Sequence, residues 1–445
     1  MIFLTPKIKK NIEKNINHLD RFTKYRLKIA LKPLMDGYDW YPAYRFFQTV
    51  KHFDLNNIVD VQQREKQKQS LKKYCYSNKV LLQFLTETNC IDFENIEIQK
   101  LENYADILTS VPFQKTLWLS EYFKFFGDLR VSDFLRRQSL TSLLNEQDKT
   151  TTILPRSLQA AIELNKFETV IKFYNKLQHK KSKFEKCKNY ALMRLGHHKR
   201  IERINGIPVN KIDDSFDEFV YGKTIAIVGP AIPETHVADE INNYDIVIRT
   251  NFPCGNNLPS EIYGRDPDIS YNWIDSTSAS KPIDLASFSN SRALKFAVFN
   301  SEYIVKQCQK NTKGKSILYR TNFDCTGLFW SGSPMAIQRI VYDLLHFSPS
   351  RISIFCANFY STKILVHDKY EGSSNPTFSH KVSRCHDLIS NFIFCKSLFE
   401  DNFVFGDKKV IDILSLNRID YSEIVNSIVG NTYLDTNTTL ENDKI

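Results

Sequence analysis

The chain has 445 residues, 42% of them hydrophobic and 13% aromatic, and a net charge of +10. That length exceeds one ordinary core and points to two domains or three, and the composition excludes a disordered chain. The basic surplus attracts anions of any kind and does not choose among nucleic acid, acidic lipid, nucleotide and acidic glycan.

The N-terminal stretch MIFLTPKIKKNIEKN has a short apolar start, early charges and no small-residue cleavage site, so it does not read as a secretory signal. No apolar run is long enough to span a bilayer. Nine cysteines without a CxxC pair fit reduced thiols and a cytoplasmic chain. Residues 1–205 read as an all-α region, rich in Lys, Glu, Gln, Leu and Phe. Within it, residues 156–177 (RSLQAAIELNKFETVIKFYNKL) place apolar side chains at three- and four-residue steps. A second helical segment runs over 187–195, with Gly196 as its stop. This pair resembles one hairpin of a solenoid, and a plain helical bundle fits as well. The run HKKSKFEKCK (179–188) is the best candidate for nucleic-acid contact, yet it reads more simply as a solvated helix end. No nucleic-acid partner is expected.

The pattern changes near residue 222. Short apolar runs stand at 223–228 (KTIAIV), 245–249 (DIVIR), 268–271 (DISY), 295–299 (KFAVF), 316–319 (SILY) and 351–356 (RISIFC), with a helix over 334–345 before the last. Strands alternating with helices predict an α/β domain over 222–431, a mostly parallel, doubly wound, Rossmann-like sheet covered on both faces. Residues 432–445 are polar and read as a flexible tail. Ligands of such sheets bind beyond the carboxyl ends of the strands, so the polar residues just after each run are the candidates.

After the first run stands VGPAIP, where Gly229 would let backbone approach a ligand closely. Alone it reads as an ordinary tight turn. The second run closes on Arg249, Thr250 and Asn251, and the third on Asn272. An asparagine offers a donor and an acceptor that suit a pyrimidine or a ribose, and each also fits a turn or a cap. The segment SGSPMAIQRI (331–340) makes Ser333 an N-cap and Pro334 the first helical residue. The N–H groups of Ser331, Gly332 and Ser333 would then face an anion. The strand that follows ends at Asn358, Phe359 and Tyr360, and a tyrosine hydroxyl there can hydrogen-bond a phosphate without a metal. An ordinary capped helix and a buried tyrosine fit the same residues. The segment SHKVSRCHDLISNF (379–392) supplies two imidazoles, His380 and His386, either able to take a proton from a hydroxyl near neutral pH. A metal site built from His380, Cys385, His386 and Cys395 lacks ordinary ligand spacing.

Taken in this order, the segments resemble the sialyltransferases, both the animal-type and the small bacterial families. Residues 226–251 are similar to the long donor-binding motif, with its closing Asp-x-Val-x-Arg-x-Asn, and 326–360 to the short motif. His386, Asp387 and Asn391 resemble the His-x4-Glu motif. The likeness covers 223–401, under half the chain. It implies a single-domain glycosyltransferase A-type variant and an inverting transferase that needs no metal or other cofactor. The donor would be a CMP-sugar carrying sialic acid or the related Kdo, and the acceptor a glycan or glycolipid of surface-polysaccharide or lipid-linked glycan synthesis. Asn251 and Asn272 would hold the cytidine nucleotide, with Ser331 and Gly332 at the donor site. Tyr360, with Tyr370 beside it, would contact the leaving phosphate, and His386 would be the general base. The chain departs from the pattern at Pro230, where the family has Asn, at Asn391 for Glu, and at Asn358 for the bacterial Asp. The basic helical half would rest on an anionic inner membrane surface. The alternative is a catalytically impaired nucleotide-binding or interaction protein on a helical scaffold.

Overall fold

A computed structural model describes residues 61–435, except 77, 92–95, 127, 146–153, 178–180, 198–199, 202–210, 251–258, 273–292, 312–316, 331–333 and 363–386. The described N-terminal part is helical: α1 (Val61–Cys75), α2 (Lys79–Glu87), α3 (Ala105–Thr109), α4 (Phe113–Phe126), α5 (Leu129–Asn145), α6 (Leu154–Glu163), α7 (Phe167–Lys176) and α8 (Lys181–Arg194). The expected hairpin is α6–α7. Its reversal is made by Asn165 in the left-handed region (φ 55°), with the Lys166 N–H donating to the Ala161 carbonyl and the Asn165 N–H to that of Ile162. Gly196 ends α8 in the same way, with φ 78° and the His197 N–H on the Leu192 carbonyl.

The rest of the chain runs α9 (Lys211–Val220), β1 (Thr224–Val228), α10 (Ala238–Asn242), β2 (Ile246–Thr250), α11 (Ser260–Tyr263), β3 (Ile269–Asn272), β4 (Phe296–Phe299), α12 (Glu302–Asn311), β5 (Leu318–Thr321), α13 (Ala336–Leu344), β6 (Arg351–Phe355), α14 (Leu388–Glu400), β7 (Phe405–Gly406), α15 (Lys408–Ser415) and α16 (Arg418–Asp435). The strands form one parallel sheet in the order β5-β4-β3-β2-β1-β6-β7. Alternation of side chains assigns the faces. Ile225 and Ile227 turn towards a core shared with α6–α9, α13 and α14, whereas Ala226 and Val228 meet Val237, Ile241 and Tyr263 around α10 and α11. Both faces are therefore covered, as an all-parallel sheet requires.

Three details differ from the sequence-based expectation. β5 lies two residues later, because pairing of Phe296 with Leu318 and of Phe299 with Thr321 sets its register. β7 is an edge strand of two residues, Phe405 and Gly406, too short to show an alternating pattern of its own. The helix expected from Pro334 begins at Ala336, with Met335 at its N-cap and no side-chain cap of its own.

One apolar cluster runs without interruption from α6–α8 through the sheet to α14 and α16. A second fills α1–α5 and takes in Trp330 from the segment before α13. Gly229, just past β1, is tightly enclosed: a Cβ there would lie 2.5 Å from the Cys356 carbonyl oxygen. Gly229→Ala is expected to lower the unfolding free energy by about 2 kcal/mol through overpacking. Gly327→Ala would meet the far end of the Lys186 side chain, at 3.0 Å, which can shift without moving backbone, and should cost roughly 0.5 kcal/mol or less. Urea midpoints of the two variants check the contrast.

Candidate functional site

The strand order changes direction at β1. Strands β2 to β5 add on one side and β6 and β7 on the other, so β1 and β6 flank the topological switch point. A parallel sheet opens its ligand crevice there, at the carboxyl ends. The turns after β1 and β6 stand at those ends, and so do the starts of α13 and α14, the helices that lead into β6 and β7.

The turn after β1 is committed to the protein. The Gly229 N–H donates to the Phe355 carbonyl at 2.8 Å, and the Ala231 N–H to that of Cys356 at 2.9 Å. The missing side chain of Gly229 thus admits the end of β6, where a ligand was the expectation. The turn after β6 is strained. Cys356, Phe359 and Tyr360 all have positive φ, at 52°, 45° and 63°. Non-glycine residues pay roughly 1–3 kcal/mol for such a conformation and keep it only when their surroundings enforce it. Here Asp407 accepts from the Cys356 N–H at 2.8 Å. The Asn358 side chain accepts from the Tyr360 N–H and donates to Thr362. The Tyr421 hydroxyl donates to the Phe359 carbonyl at 2.6 Å. Asn358, expected at the donor, builds this turn instead. Tyr360 is half-buried at the carboxyl end of β6, the end expected for it.

Two other expected ligands point into the protein. Arg249 shares its face of β2 with Val247, so it turns towards α11. Its guanidinium donates to the carbonyls of Tyr263, Gly264 and Arg265 at 2.9–3.1 Å. Burial draws its pKa down. It caps a helix end rather than a donor. Asn272 is the last residue of β3, two strands from β1, and its buried amide folds back onto Ser270. Asn251, Ser331, Gly332, Ser333, Tyr370, His380, Cys385 and His386 lie outside the described residues. Cys395, named with three of them as a metal set, sits in the core, and burial pushes its thiol up.

The starts of α13 and α14 are joined by Asn391. Its side chain accepts from the Met335 N–H at 2.8 Å and donates to the Asp387 carbonyl at 2.8 Å. Asp387 caps α14 through the Ser390 N–H. It belongs to a buried cluster that sets Lys124, Arg136 and Arg418 against Glu121, Asp133, Glu163 and itself. Burial alone would raise the Asp387 carboxyl. The Arg136 and Lys124 charges, with the Ser390 N–H, outweigh it and hold the group well below the usual carboxylate range.

Sequence reading missed Arg136, Asp407 and Tyr421. Asp407 had a signal, since it precedes the run KKVIDIL and caps α15 through the Val410 N–H. Arg136 and Tyr421 had none, because their partners are distant in sequence. Elsewhere, a cavity of about 20 Å³ between α6, α8 and α14 has room for one water molecule. A hollow of about 90 Å³ lined by Ser348, Arg351 and Phe405 lies at the amino ends of β6 and β7, away from the crevice. In the basic run, Lys186 reaches Asp324, and Lys188 pairs with Glu185 over the Tyr174 ring. The seven described cysteines are free and buried. Among the described residues no helix is long and apolar enough to cross a membrane.

The chain matches no known protein family, no curated protein sequence and no solved structure.

Asp387→Asn removes the carboxylate that faces two buried cations, which should cost about 3–5 kcal/mol of stability at pH 7. The folded pKa lies below the unfolded one, so this contribution is complete above pH ~4 and is lost as pH falls below it. Urea titrations of wild type and variant should therefore converge on acidification.

Proposed function

We propose that the chain is an inverting glycosyltransferase that moves sialic acid or a related 2-keto acid sugar from a CMP donor to a glycan hydroxyl. The observation that carries this reading is topological. Gly229 and Tyr360, in segments that resemble the two sialyltransferase donor motifs, follow β1 and β6, the two strands that flank the switch point. The sheet is read as a single-domain glycosyltransferase A-type variant. The acceptor is read as a glycolipid or lipid-linked glycan, met at an anionic membrane surface from the cytoplasm.

In this reading CMP leaves with a single phosphate, and departure creates an oxocarbenium-like centre next to the donor carboxylate. Tyr360, with Tyr370, hydrogen-bonds the departing phosphate, and the segment at Ser331, Gly332 and Ser333 contacts the donor. His386 takes the proton from the acceptor hydroxyl as it attacks the opposite face, which inverts the centre.

A second reading, a nucleotide-binding or interaction protein without transfer, is favoured by a specific observation. Arg249, Asn272 and Asn358 give their side chains to the protein, and the starts of α13, α14 and α15 are capped by Asn391, Asp387 and Asp407.

The two readings separate in a CMP-release assay with CMP-sialic acid and CMP-Kdo, with and without glycan acceptors. Transfer predicts acceptor-dependent release that His386→Ala lowers about 100- to 10,000-fold, while His380→Ala stays within about threefold of wild type. Tyr360→Phe should lower kcat roughly tenfold, the loss of one hydrogen bond to a developing charge. Full activity in His386→Ala would end the assignment of the base. CMP binding without release from any donor would favour the second reading.

A further inference from the structure

The buried charge cluster joins the helical half to the elements around the crevice. Arg136, on α5, reaches across to Asp387 and Ser390 at the start of α14, and to Glu163 on α6 at 2.5 Å. Arg418, on α16, holds Glu163 at 3.2 Å and Asp133 at 2.7 Å.

Two chains of contacts lead from this cluster to the crevice. The first passes from Asp387 to Asn391, one turn along α14, and from its side chain to the Met335 N–H where α13 begins. The second passes from Arg418 to Tyr421 on the same helix. Tyr421 stacks on Phe392 of α14 at 3.9 Å and donates its hydroxyl to Phe359 in the strained turn after β6. The helical half makes a third contact: Arg156, on α6, donates to the Trp330 carbonyl at 3.1 Å and lies over its ring at 5.2 Å. Trp330 itself is packed in the core of α1–α5.

We propose that Arg136 is a positioning residue for the crevice: from the helical half it sets, through Asp387 and Asn391, where α13 and α14 begin. A buried ion cluster suits this task. It adds little net stability over apolar replacements, but removing one member leaves charges unmatched, so only one arrangement of its elements is favourable. The proposal takes the crevice to be the donor site, as argued above, but its central consequence is structural and is read without any substrate.

The test is amide hydrogen exchange on the full chain for wild type, Arg136→Met, Arg136→Lys and Lys124→Met. In Arg136→Met, exchange at 335–338 and 388–391 should accelerate at least about tenfold more than exchange in β1 and β2, which follows the loss of global stability. Arg136→Lys, which keeps the charge, should restore part of the protection. An acceleration at the two helix starts no greater than that of β1 and β2 overturns the proposal. Should Arg136→Met fail to fold, Lys124→Met, which loses the other cation on Asp387, carries the same comparison with the same outcomes. CMP release in the same preparations should show kcat reduced about tenfold with the donor KM changed less than about threefold. A wild type that releases no CMP from any donor would refute the transferase reading, and the exchange result would still decide the role of Arg136.

Discussion

The contact between Arg136 and Asp387 is the constraint on which the arrangement depends. Both groups are buried, and each would be strongly disfavoured as a lone charge in that setting. Because the arginine belongs to the helical half and the aspartate opens a helix over the sheet, satisfying them fixes one half against the other. The same cluster takes in α16 through Arg418, so the C-terminal helix returns to the first half of the chain. The apolar core makes the same passage, from α6–α8 into the sheet and on to α14 and α16. Hydrophobic contact supplies most of the cohesion there but tolerates small sliding, whereas paired charges and directed hydrogen bonds specify one register.

Around the switch point the protein has used polar groups mostly to hold itself. Three helices that start there are capped by side chains, and the turn after β6 holds three strained residues fixed by Asp407, Asn358 and Tyr421. Strain of this kind clusters at sites of function in proteins generally, and this turn stands at a strand end next to a topological switch. It leaves Tyr360 as the described residue that joins the expected site most directly. Gly229 contributes by letting the ends of β1 and β6 close on each other.

The strands were legible where β-branched runs alternate with helices, as in β1, β2 and β6. They were less so where pairing decides: β5 takes its register from β4, and β7 exists only because Phe405 and Gly406 lie beside Ser353 and Ile354. The helix stop at Gly196 was legible because a positive φ demands a particular residue. Side-chain direction was not. Arg249 and Asn272 stand near the expected strand ends, but the parity of β2 sends one towards α11, and a local bond to Ser270 holds the other. The charge cluster left no mark in any local pattern, since nothing sets Arg136 apart from Arg130 and Arg137 on the same helix or points to a carboxylate some 250 residues away.

The most direct measurement is a footprint of CMP itself: amide exchange of the full chain with and without saturating CMP. Slowed exchange is expected in the turns after β1 and β6, at 229–231 and 356–361, and at the starts of α13 and α14, with the amino ends of the strands unchanged. Protection at the amino ends of β6 and β7, or no protection by CMP at any concentration, would contradict it.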